Sequence, residues 1–137
     1  MAKSPLMFGG DATVLDPFTL SLLSNPSVLA INSFSTGNRQ VSMKNASIVW
    51  TATIASSGSS SAAGAVAHAG VYVALFNTDT TSSHKVSVAL DAVGIKGFSG
   101  KVLNVWSGKN EDHPSPISNG ILSANVEPTS VVLLRLA

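Results

Sequence analysis

The chain of 137 residues has no cysteine, which excludes disulfides, Cys-based zinc sites and a thiol nucleophile without identifying a compartment. Charge is scarce as well: charged residues are 11% of the chain, and eight basic side chains scattered from Lys3 to Arg135 face seven acidic ones. With no basic cluster, the sequence carries no footprint for nucleic acid or an anionic membrane surface. Aromatics are 6% of residues, and no apolar run reaches the roughly 18 residues that span a bilayer. Met1-Ala2-Lys3 does not open a signal peptide. What is abundant is small and apolar: 45% of residues are hydrophobic, with Ser, Ala, Val and Gly prominent. Such a composition suits packed β structure better than a solvated helical bundle, and a chain of this length can bury its own core.

The most informative segment comes first. Lys3 to Phe8 is a short apolar run closed by Gly9-Gly10-Asp11, and a helical pattern follows it. The run reads as a strand apolar on both faces, as in a parallel sheet flanked by helices, and one such unit cannot bury itself. Asp16-Pro17 predicts a helix start, because the Asp side chain accepts orphan N–H groups while proline loses nothing at the first helical position. Phe18, Leu20, Leu22 and Leu23 give that helix an apolar face; Asn25-Pro26 ends it and caps a second, carrying Val28, Leu29 and Ile31. Gly37 is read as the break after it.

From Arg39 onward a strand period dominates. Ile48 and Trp50 alternate with Val49 and Thr51, and Val86, Val88 and Leu90 alternate with Lys85, Ser87 and Ala89. Val71 to Phe76 and Val131 to Leu136 are denser, as expected of strands buried between two layers. Turn signals at Asn77-Thr78-Asp79, Gly94 to Gly100, Ser107 to Asn110 and Asn119-Gly120 separate the runs. About seven or eight strands so divided predict an antiparallel β-sandwich, with the Ser/Gly/Ala-rich stretch 56–69 as a mobile loop.

Few residues suggest chemistry. Asp11 sits at the carboxyl end of the expected strand, where function often lies in βα proteins, but by pattern alone it reads first as part of a strand-ending turn. Asp16 is assigned to capping. His68, His84 and His113 are in no recognised metal-ligand spacing, although His113 follows Glu111-Asp112 in a turn-rich segment that reads as a weak cation site or a solvated loop. No serine occupies a Gly-x-Ser-x-Gly context. Trp50 and Trp106 fall within strand patterns, where a tryptophan either stacks on a sugar ring or fills a core or domain seam. Asn45-Ala46-Ser47 matches the N-glycosylation acceptor, relevant only in a secretory compartment.

Taken together, Ser4 to Asp11 and Leu20 to Asn32 resemble the end of the catalytic barrel in the alpha-galactosidase (melibiase) family. Trp50, Val71 to Asn77, Asp91 to Ile95, Val105 to Lys109 and Val131 to Leu136 resemble that family's C-terminal β domain, closest to its divergent plant-type members. Leu103 to Trp106 and Pro128 to Ser130 depart from the family's usual Asp-Leu-Trp and His-Gly patterns. The resemblance implies a glycoside hydrolase parent in which an eightfold βα barrel precedes an antiparallel sandwich. It also implies hydrolysis of α-galactosides with retention, by two carboxyl groups roughly 5 Å apart. In the family those groups come from earlier barrel strands, so the resemblance assigns this chain no catalytic residue; Asp11 matches a residue at the edge of the substrate pocket.

The expected architecture is therefore mainly β: residues 1–37 as the last strand-helix unit of an incomplete (β/α)8 barrel, and 38–137 as the sandwich, Greek-key-like. The expected role is to brace the barrel without catalysing alone; the alternative is a free-standing carbohydrate- or protein-binding module. Expected partners are the barrel, a galactoside held by the parent, and a second copy of the chain through the apolar N-terminal segment. No cofactor, metal, nucleic acid or membrane is expected.

Overall fold

A computed structural model describes residues 4, 6–55, 68–107 and 116–137. Two short helices lead, α1 (Pro17–Leu23) and α2 (Pro26–Phe34), followed by strands β1 (Thr36–Lys44), β2 (Ser47–Ile54), β3 (Gly70–Asn77), β4 (His84–Ala89), β5 (Val102–Asn104), β6 (Ile117–Ser118), β7 (Ile121–Val126) and β8 (Ser130–Leu136). They form two antiparallel sheets, ordered β1-β2-β3-β8-β5 and β4-β7-β6. Mainly β architecture in two packed sheets is what the alternating pattern predicts.

The helices form for local reasons. Asp16 accepts from the Thr19 amide at 3.0 Å and from its hydroxyl at 2.6 Å, with Pro17 opening α1. Asn25 accepts from the amides of Ser27 and Val28 at 3.0 and 3.1 Å, and Pro26 opens α2. Both caps satisfy donors that the first helical turn leaves without intrahelical partners.

In β4 the period of two is plain: Val86 and Val88 are buried while Lys85, Ser87 and Ala89 are exposed. β3 is buried on both faces, because it has a layer on each side. Its Val73 and Leu75 join Val49, Leu134 and Leu136 of the same sheet and Val86, Leu122 and Val126 of the other in the core of the sandwich. Its Tyr72 and Ala74 face outward and pack with Ile54, Val105, Leu133 and Ile31 of α2. The dense runs thus mean a sheet covered by a second sheet inside and by a helix outside.

Three local expectations change. Leu6 to Gly10 is not a strand: it runs exposed, with no ladder partner among the described residues, and a strand exists only through its neighbours. Gly37 is not a break; it lies within β1 at φ +63°, inside the register shift between Thr36 and Arg39. Trp106 is not in a strand: the Asn104 side chain accepts from the amides of Trp106 and Ser107 and turns the chain at the end of β5. The stretch 56–67 and the segment 108–115 with Glu111, Asp112 and His113 lie outside the described residues.

One polar residue ties the sheets together. Asn77 ends β3, is 2% exposed, and its amide nitrogen donates to the carbonyls of Ser82, Val126 and Glu127 at 2.8, 3.0 and 3.1 Å. Its oxygen accepts from the Asp79 amide at 3.0 Å. On the opposite side Arg39 of β1 donates through Nη2 to the Ala92 carbonyl at 2.9 Å, reaching the short turn after β4.

Candidate functional site

The outer face of the five-stranded sheet is only partly covered. α2 covers part of it through Ala30 and Ile31, but α1 buries none of its residues. Phe18 of α1 is 70% exposed, Met7 ahead of it 86%, and Leu6, Phe8, Val14, Leu20 and Leu22 are exposed too. These seven lie within 17 consecutive positions, from Leu6 to Leu22, a density that scattered surface apolar residues do not show.

Between α1 and the sheet runs a groove of about 870 Å³ bordered by Phe18, Leu22, Asn25, Phe76, Trp106 and Val131. A smaller cavity of about 270 Å³ shares Phe76, Trp106 and Val131 and reaches Leu6, Val28 and Leu133. Trp106 is 37% exposed between the two, and Trp50 is partly buried against the outer apolar cluster. Both tryptophans therefore stand on the outer face, Trp106 as part of the groove wall.

Asp11 does not border this groove. Its carboxylate is exposed and accepts from the Thr13 amide at 2.8 Å and the Thr13 hydroxyl at 2.6 Å, capping the 3-10 turn Ala12–Val14. Those bonds, the hydroxyl's first, hold its pKa below the ordinary value. Asp16 is held low in the same way by the Thr19 hydroxyl and then the Thr19 amide. Asp79 closes the loop after β3: it accepts from the amides of Thr81 and Ser82, and its Oδ2 lies 2.8 Å from His84 Nε2. The His84 contact, then the Thr81 and Ser82 bonds, hold the Asp79 carboxyl far below the usual range. His68 is exposed, and its carbonyl accepts from the Tyr72 hydroxyl at 2.6 Å. Among the described residues no group of three His, Asp or Glu side chains is placed to hold a metal ion. Asn45 is exposed at the β1–β2 turn with φ +49°, and the following Ala46 carbonyl is tied to Thr78.

Sequence reasoning passed over Asn77 and Arg135. Asn77 reads as a turn residue, yet its place at the end of a dense apolar strand was a usable signal, since a polar side chain buried there needs partners. Arg135 interrupts the most apolar strand of the sheet and carried a similar signal.

Residues 45–136 match the family model described as the alpha galactosidase C-terminal beta sandwich domain. The GH27 β-L-arabinopyranosidase from Geobacillus stearothermophilus is 30% identical, with a TM-score of 0.79 over 98% of this chain and 27% of that one. Alpha-galactosidase I from Mortierella vinacea, 20% identical, has the same fold, with a TM-score of 0.72 over 96% of this chain and 31% of that one. Comparison with curated protein sequences finds no match. The chain spans less than a third of either solved structure. Both likenesses extend over nearly all of this chain, so they take in the N-terminal helices as well as the two sheets. With two thirds of its length matched, the chain belongs to the family of alpha-galactosidase C-terminal β-sandwich domains.

Proposed function

We propose that this chain braces the catalytic barrel of an alpha-galactosidase-like glycoside hydrolase and does not catalyse alone. The observation that carries the reading is the concentration of exposed apolar side chains from Leu6 to Leu22, continuous with the Trp106 groove on the outer face of the sheet. Burying that surface against a barrel would stabilise both parts, since apolar area removed from water contributes about 25 cal/mol per Å². Residues 1–37 then belong to the end of the barrel and 38–137 to the sandwich. In such a parent Asp11 stands at the edge of the sugar pocket, and two carboxylates from earlier strands cleave a galactoside with retention. The plant-type affinity rests on the sequence motifs alone. Without the barrel, the same apolar surface drives self-association.

A second reading is a carbohydrate-binding module. It is favoured by one observation: Trp106 offers an aromatic wall beside the polar rim of Asn25, Thr129 and Ser130. Titrating galactose and melibiose into the chain while following tryptophan fluorescence separates the two. A bracing domain gives no saturable response; a saturable one, lost in Trp106→Ala, overturns the bracing reading. The chain is also expected to be inert towards aryl α-galactosides, and turnover abolished by Asp11→Ala would refute that.

A further inference from the structure

We propose that Asn45 is an acceptor for an N-linked oligosaccharide, a modification site at the tip of the β1–β2 hairpin that operates when the chain enters the secretory pathway. The inference goes beyond the bracing reading and does not depend on it. Asn45-Ala46-Ser47 has the Asn-x-Ser spacing with a residue other than proline between. The one other asparagine with Ser or Thr two positions on is Asn25; there Pro26 intervenes, and the side chain already caps α2.

Lys44 pairs with Ser47, so Asn45 and Ala46 make up the whole of a two-residue turn, outside the ladder. Asn45 takes the left-handed conformation there, at φ +49°, which its short polar side chain tolerates. It is exposed, and among the described residues its side-chain amide is in no hydrogen bond. It borders neither the groove nor the smaller cavity of the outer face, so an oligosaccharide carried on it replaces no side chain there.

The turn is pinned from outside the hairpin: the Ala46 carbonyl accepts from the Thr78 amide at 2.8 Å and from its hydroxyl at 3.1 Å. Thr78 lies 32 positions further along, so a chain emerging N-terminus first presents the motif before those bonds can form. The donor is a lipid-linked oligosaccharide pyrophosphate. The Asn45 amide nitrogen bonds to C1 of the first sugar and loses a proton; the C1–O bond breaks, and the lipid pyrophosphate leaves with its electron pair. Once the sandwich closes, the glycan stands in solvent on a fixed turn.

The test is translation of the full chain behind a cleavable signal peptide in the presence of endoplasmic-reticulum microsomes, read on the protease-protected fraction so that folding and export do not enter. Most of the protected chain is expected to gain one oligosaccharide, lost in Ser47→Ala and kept in Ser47→Thr. Peptide N-glycosidase applied without denaturant should release it and leave a carboxylate at position 45, located by mass spectrometry. A protected chain that stays unmodified, a glycan that survives Ser47→Ala, or one released only after denaturation overturns the inference. Such a failure leaves the bracing reading standing, because that reading falls only on a saturable galactoside response or on turnover.

Discussion

Asn77→Ala tests whether the two sheets are held by one amide as well as by their apolar core. The side chain is buried, and its two N–H groups serve three carbonyls while its oxygen takes the Asp79 amide. Two N–H groups cannot make three full bonds, so the count is two donated and one accepted, at about 1 kcal/mol net each. Ser82 and Glu127 are exposed, so water can replace the lost donor at their carbonyls; Val126 is fully buried, and its carbonyl stays dry. The sum is about 3 kcal/mol of lost stability, which for a chain of this size lowers the midpoint of thermal unfolding by roughly 10 °C. Urea denaturation followed by circular dichroism measures it. Asn77→Asp adds a sign: a carboxylate facing those carbonyls has its folded pKa raised above the unfolded value. Its stability is therefore greater at low pH and is lost as pH rises through the folded pKa. A loss below about 1 kcal/mol in Asn77→Ala, or no pH trend in Asn77→Asp, would refute the bridging role.

Other expectations follow from packing and charge. Leu75→Ala removes a fully buried side chain from the sandwich core and is expected to cost about 3 kcal/mol in the same denaturation assay. Asp79 is held low in the folded state, so the stability it contributes is present above the ordinary carboxylate pKa and lost as pH falls through its folded value. Asp79→Asn should accordingly differ from the parent at neutral pH and converge with it in strong acid. Phe18→Ser changes an exposed side chain, so unfolding should move by no more than about 0.5 kcal/mol, whereas any self-association seen by sedimentation should weaken.

Much of this chain was legible because the relevant interactions are short-ranged. Asp16 and Asn25 cap helices through atoms two or three residues away, and β4 shows its buried face in alternate positions. The barrel-end and β-domain motifs pointed to the family that residues 45–136 match. Leu6 to Gly10 misled because an apolar run has the same composition whether or not a neighbour supplies its ladder. Trp106 misled because the Asx turn made by Asn104 interrupts a pattern that otherwise reads as strand.

The sequence by itself determined the class of the protein, its two helix starts and the inner faces of its regular strands, all of which depend on residues within a turn or a pleat of one another. Tertiary structure decided the rest: that β8 returns between β3 and β5, that α2 covers the outer sheet, that Asn77 reaches Val126, and that Arg135 lies beside Tyr72 on the neighbouring strand. Those contacts join positions tens of residues apart, and which of them form depends on the packing energy of the whole sandwich, which no local pattern encodes.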